Sequence, residues 1–354
     1  MKSRTLNRIG AMTLLAALAT SAGLSAQEHE PTFTTFDAPG ATGTAGASIN
    51  PKGEITGYYI DANRVEHGLL RSPEGKITTF DAPGAGNGPF LGTWPSHINS
   101  SGEITGYYFD PNEVGHGFLR APAGTFITFD APGAGTGTVE GTYAFSVNPK
   151  GAIAGYSTDA NFVSHGFLRS PDGTFTIFDA PGAGTDTSQG TFAAAINPAG
   201  DIAGSYIDAN AVYRGILRAG DGTFTIFDAP PHSPYFLPLS INPAKAITGW
   251  YQDPSRLGHG FLRTHDGTFT TFNAPGAVAT YAQCINPAGA ITGYYLDSSF
   301  LAHGFLRAPD GVFTTFDAPG AVETYAQCIN PAGAITGYYL DSSFLAHGFL
   351  RSPH

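Results

Sequence analysis

The sequence predicts an all-β protein, a seven-bladed β-propeller with four-stranded antiparallel blades, and three observations carry that prediction. The phrase Phe-Asp-Ala-Pro begins at Phe36, Phe80, Phe129, Phe178, Phe227 and Phe316, with Phe-Asn-Ala-Pro at Phe272. A second phrase, His-Gly-Phe or His-Gly-Leu, begins at His67, His116, His165, His259, His303 and His347, and its remaining slot reads Arg214-Gly215-Ile216. Finally, 47 Gly, 26 Pro and 12% aromatic residues against 13% charged describe short strands joined by tight turns.

Each repeat holds four candidate strands. Strand a ends at the Asn of Ile-Asn or Val-Asn, as at Asn50, and strand b follows as Ile55-Thr56-Gly57-Tyr58-Tyr59. Strand c is the His-Gly-Phe segment, closed by an Arg such as Arg71, and strand d ends in the Phe-Asp phrase. Asn50-Pro51-Lys52-Gly53 between a and b, and Ser170-Pro171-Asp172-Gly173 between c and d, have Pro and Gly where a type I turn with a left-handed Gly wants them. Both connections are therefore tight hairpins. Successive Phe-Asp phrases lie 44 to 49 residues apart, which suits a propeller blade and exceeds a β-helix coil.

The described order starts with a lone strand d, Thr32 to Asp37, and stops after a lone strand c, His347 to Arg351. The expectation is a single domain over 27–354 in which residues 32–37 complete the seventh blade, set Asp37 opposite His347 and remove the open sheet edges.

Lys2, Arg4 and Arg8 precede an apolar stretch from about Ile9 to Leu24 that ends in small residues. Residues 1–26 read as a secretory signal peptide, so a secreted or periplasmic protein is expected. The chain holds 17 Lys+Arg and 28 Asp+Glu; without the three basic residues of the signal the balance is 14 against 28, or −14, which disfavours a nucleic-acid partner. No later apolar run is long enough for membrane insertion, and a monomer is expected. CxxC, HExxH and P-loop motifs are absent, so no cofactor and no metal are expected.

The pattern INPxGxITGYYxD…HGFLRxPDGxFTTFDAPGA resembles the bacterial extracellular repeat family called HAF, named for a His-Ala-Phe at the start of strand c. The resemblance covers nearly all of the chain after the signal; Gly stands for Ala in His165-Gly166-Phe167, and Arg169 stands where that family often has Trp. It implies a propeller-like exported protein and no particular reaction.

Which residues could carry chemistry? Counting back across the c–d turn sets His67 opposite Asp81, His116 opposite Asp130, His165 opposite Asp179 and His303 opposite Asp317. Arg214 faces Asp228 and His259 faces Asn273 in the same places. A catalytic constellation is needed once, whereas this pair recurs in every blade, so it reads as cross-strand hydrogen bonding and no catalytic residue is assigned. The seven arginines closing strand c are structural by the same reasoning. Asp61 with Asn63, and its counterparts through Asp341 with Ser343, supply about two oxygens per blade, too few for calcium, and read as turn caps. The glycine inside each strand b suggests a bulge or the close approach of a neighbouring blade. Tyr58 and its equivalents read as inter-blade packing. Cys284 and Cys328 occupy one repeat position, residues 282–307 and 326–351 being identical. Equivalent positions in adjacent blades are expected to lie beyond the roughly 7 Å Cα limit for a bridge, so two buried free thiols are expected.

If sameness marks scaffold, function belongs where the copies differ. From the Pro of the Phe-Asp phrase to the Asn of strand a the count is 11 for Pro39–Asn50, 16 for Pro83–Asn99, Pro132–Asn148 and Pro181–Asn197, 12 for Pro230–Asn242, then 11 twice. The three consecutive long d-to-a loops are expected to form one lip on the channel mouth, with Trp94, Tyr143 and Phe192 on a shared surface and His97 and Glu140 nearby. Those five residues are the candidate ligand-binding set; the plain alternative is that the rings pack between blades. A binding or scaffold propeller for a glycan or a cell-surface protein is the first functional reading. A polysaccharide lyase or glycosidase is the second, and it needs Glu140, Asp186 and His97 to converge.

Overall fold

A computed structural model describes residues 30–230 and 233–353; the expected signal segment, 1–26, lies outside them. It contains 28 strands. They pair in four-stranded antiparallel meanders. In the first, strand a (Gly43–Ile49), strand b (Ile55–Ile60), strand c (Glu66–Arg71) and strand d (Ile77–Phe80) pair in order. In the last, strand a (Glu323–Ile329), b (Ile335–Leu340) and c (Ala346–Ser352) take as their fourth member Thr32–Phe36, in the register Phe33↔Arg351 and Phe36↔Gly348. Asp37 accepts a hydrogen bond from His347 Nδ1 at 3.0 Å.

The turns are built as their residues require. Gly53 sits at φ 83°, a left-handed conformation that costs glycine least, and Asn50 Oδ1 accepts the N–H groups of Lys52 and Glu54, each at 3.0 Å. Where the fifth repeat lacks that glycine, Lys245 takes the position at φ 62° and its Nζ pairs with the buried Asp201 carboxylate at 3.1 Å.

Glycine within strand b answers to strand a of its own blade, not to a neighbouring blade. A Cβ on Gly57 would overlap the Ala45 carbonyl oxygen. Beside that approach the a–b register shifts between Gly46 and Ser48, a β-bulge that recurs in every repeat. The bulged residue is left without a partner across the sheet.

Blades hold one another through three repeated seams. The arginine closing each strand c lies over the Phe of strand d in the preceding blade, from Arg120 over Phe80 at 4.7 Å to Arg71 over Phe36 at 5.5 Å. Burial lowers the pKa of Arg120, though guanidinium groups stay charged. The Ala of the Phe-Asp-Ala phrase donates its N–H to a threonine at the start of the next strand a, as Ala82 does to Thr93 Oγ1 at 2.9 Å. Nearest the axis, Asn50 Nδ2 donates to the Asn99 carbonyl at 3.1 Å, Asn99 to Asn148 at 2.9 Å, and the relay continues through Asn197, Asn242 and Asn286 to Asn330.

Candidate functional site

The second halves of all the a strands line a cavity of about 550 Å³ on the axis, at the end where the a–b turns lie. Five consecutive repeat positions line it, from the bulged residue to the residue after the Asn, and three of them play different parts. The buried Asn is engaged at Oδ1 by its own turn and at Nδ2 by the next blade. In most blades the residue before Ile or Val accepts the N–H of the equivalent Ile or Val in the following blade: Ile98 donates to Ser48 Oγ at 3.4 Å, Val147 to His97 Nδ1 at 3.3 Å, Ile196 to Ser146 Oγ at 3.3 Å, and Ile285 to Ser240 Oγ at 3.2 Å, whereas Ala195 in the fourth blade has no acceptor. His97 thus takes a serine's place. Burial pushes its pKa down to about 4, so near pH 7 it is neutral, and the bond accepted at Nδ1 leaves the proton on Nε2.

Third comes the bulged residue, of five kinds in seven blades: Ala47, Ser96, Phe145, Ala194, Leu239, Gln283 and Gln327. All are half-buried against the cavity. No Asp, Glu, Lys or Arg lines it.

The two cysteines are a correction to the sequence reading. Cys284 and Cys328 form a disulfide, with their Cα atoms 5.0 Å apart. Separation between equivalent positions grows with distance from the axis, and strand a is the innermost strand, so adjacent copies come within bridging range there.

The five candidate residues do not all come together: Trp94, Tyr143 and Phe192 join one aromatic band through Tyr107 and Tyr156, Glu140 lies beside Tyr143, and His97 stands apart. Trp94, Tyr143 and Phe192 lie in the first half of strand a, where each ring packs on the strand-b tyrosine of the preceding blade: Tyr58–Trp94 at 4.8 Å, Tyr107–Tyr143 at 5.3 Å and Tyr156–Phe192 at 5.0 Å. Trp94 and Phe192 stay half-exposed, while Tyr143 is buried and donates its hydroxyl to the Val139 carbonyl at 2.7 Å. Glu140 is buried and accepts the Gly137 N–H at 2.7 Å, folding its own loop. Asp186 is exposed. His97 lies in the other half of strand a, three residues beyond the Trp94 position and about 10 Å along the strand. The long loops do share one excursion, each clipped to the preceding b–c turn by Phe90 N–H to Arg64 O at 2.7 Å, Val139 to Glu113 at 2.8 Å, and Ser188 to Phe162 at 2.8 Å.

The repeated polar pairs sit at the blade edges, where the register count puts them. His67 Nδ1 donates to Asp81 at 2.8 Å and its Nε2 lies 3.8 Å from Asp61. Asp61 Oδ1 in turn accepts the N–H groups of Asn63 and Val65 at 2.8 and 2.9 Å, which makes it a turn cap. Among the described residues no group of His, Cys, Asp or Glu is arranged to hold a metal ion.

Sequence reasoning missed Glu66. It is the one carboxylate at the head of strand c, where other blades have Gly, Ser, Tyr or Ala, and it is only 2% exposed. Burial raises its pKa to about 7. Comparison down that repeat column would have found it, and the same comparison down the bulged column of strand a would have singled out Gln283 and Gln327.

No family model and no curated protein matches the chain. Solved structures do. A streptogramin B lyase is similar with a TM-score of 0.60 at 14% identity over 90% of this chain and 97% of that one. The BP39L lectin from Burkholderia pseudomallei gives 0.57 at 8% identity over 89% and 98%. A chain of a mitotic checkpoint complex gives 0.55 at 11% over 98% and 99%. The fold is a β-propeller. At such identities the likeness extends to the fold alone, and this propeller's chemistry has to be read from its own residues.

Proposed function

We propose that this propeller is an exported binding or scaffold protein of the HAF type, a closed ring of seven blades that holds a glycan or a surface protein at its channel. The carrying observation is the division of labour within strand a. Repeated residues are engaged in the seams between blades, while the unlike ones gather at the bulged position facing the axis. A scaffold alone places no demand on that position. A lectin among the fold neighbours is in keeping with a glycan.

The hydrolase or lyase alternative needs an acid and a base at one point. Glu140 is occupied by its own loop, Asp186 is exposed, and His97 lies far along strand a from both, so binding is the preferred reading. Ring closure is supported by the Thr32–Phe36 strand on the last blade, by Arg71 over Phe36, and by Asn330 bonded to Asn50. A glycan-array and surface-protein binding screen on residues 27–354 tests the reading. Saturable binding to at least one of these classes is expected; none at all would overturn it.

A further inference from the structure

We propose that the axial cavity takes a single neutral sugar ring, entering from the a–b-turn face, with Phe145 against its apolar face and Gln283, Gln327 and His97 hydrogen-bonding its hydroxyls. This rests on the binding reading above and names its site and ligand class.

Size is the first argument. About 550 Å³ falls within the roughly 300–1,000 Å³ usual for small-molecule sites. Charge is the second. With no ionisable lining residue except His97, itself neutral near pH 7, nothing in the cavity would compensate an ionised ligand.

The third argument is which polar groups are free. The asparagines engage both side-chain ends, Asn148 Oδ1 accepting from Lys150 and Ala152 in its own turn while Nδ2 donates to Asn197 O across the seam. The Gln283 and Gln327 amides make no hydrogen bond with any described residue, so each offers an acceptor and two donors, and His97 adds Nε2–H. An apolar ligand would leave these groups unpaired.

Arrangement is the fourth. Phe145 belongs to the third blade and the two glutamines to the sixth and seventh, so in a seven-membered ring they face one another across the axis. One face of Phe145 stacks on Tyr156 at 5.5 Å and 19°. An aromatic wall opposite two amides suits a ring with one C–H face and an edge of hydroxyls.

The repeat supplies variants that other blades already tolerate. Phe145→Ala, Gln283→Ala and Gln327→Ala copy Ala47 and Ala194, and His97→Ser copies Ser48 and Ser146. The probes are the methyl glycosides of glucose, galactose, mannose, fucose and N-acetylglucosamine, with glucuronic acid as the ionised control, followed by saturation-transfer NMR on residues 27–354. At least one neutral glycoside should bind and glucuronic acid should not. The Phe145→Ala/Gln283→Ala/Gln327→Ala variant should keep its melting temperature and lose affinity by about tenfold or more. An oligosaccharide ending in the bound sugar distinguishes a glycan terminus, which it should occupy, from a free monosaccharide, which would bind alone. Binding unchanged in the triple variant would overturn the channel site while leaving the binding reading intact. Binding of no neutral glycoside, or equal binding of glucuronic acid, would overturn the ligand class, and a protein partner found by the screen would then stand by itself.

Discussion

Asn330 Nδ2 donates to the Asn50 carbonyl at 3.2 Å, joining residues 280 positions apart. The same bond links each of the other asparagines to its successor. Asn330→Asp keeps the Oδ1 that accepts from Ala332 and Ala334 but removes the Nδ2 donor and sets a carboxylate against a carbonyl. Each such change should cost about 1–3 kcal/mol in chemical denaturation. Asn148→Asp should cost a similar amount, and a loss confined to Asn148 would mean that the last junction carries no load.

His97 is expected to make the protein acid-sensitive. Its folded pKa of about 4 lies below its ordinary 6.5, so its contribution is complete above 6.5 and is lost as the pH falls towards 4, where the unfolded chain binds a proton the folded one refuses. His97→Ser keeps the acceptor for Val147 and removes the titration. Melting curves between about pH 7 and pH 4.5 should show the variant losing less stability than the parent; parallel losses would contradict the assignment.

At the blade edge the sign reverses. Burial pulls the pKa of His347 down, but hydrogen bonds and charge from Asp37 and Asp341 raise it overall. Its contribution is complete below the ordinary 6.5 and disappears as the pH rises through the raised value. His347→Gln should therefore fall further below the parent in melting temperature at about pH 6 than at about pH 8.5, by a small margin because the pair is partly solvated. His116→Ala, which removes the bond to Asp130, should cost about 1 kcal/mol and leave any ligand binding unchanged.

Cys284→Ser separates two roles of one residue. Serine, as Ser240 shows, can still accept the N–H from the next blade, so only the bridge to Cys328 is removed. Closing a loop across 44 residues contributes roughly 2–4 kcal/mol. The variant should lose that much and become indifferent to reductant; a parent whose thiols both alkylate when unfolded without reductant would contradict the bridge.

The fold was legible because its signals are local and repeated. Gly53 marks a turn that only a left-handed residue makes, and His67 with Asp81 follows from counting outward from a similar turn. The site was less legible because it depends on where strand a begins and on its bulge. Read as loop, Trp94 and His97 share a mouth; as a bulged strand, they occupy different halves of strand a and only His97 lines the cavity. The sequence trace of the bulge is Gly106 in the partner strand, which marks a close approach without saying from which side. Cys284 and Cys328 were misread because blade spacing was judged without regard to distance from the axis. Glu66 escaped because it stands just before a repeated phrase that drew attention to His67.

Closure of the ring by Thr32–Phe36 is the claim on which the channel, its lining and the facing of Phe145 towards the glutamines all depend. Native-state hydrogen exchange by mass spectrometry on the segment 30–38 tests it most directly. Paired with Ala346–Ser352, these amides should exchange as slowly as those of the fourth strand in an interior blade, Phe126–Phe129, and both should be released together on global unfolding. Exchange of 30–38 at the rate of an unpaired chain, with Phe126–Phe129 still protected, would contradict the closed ring.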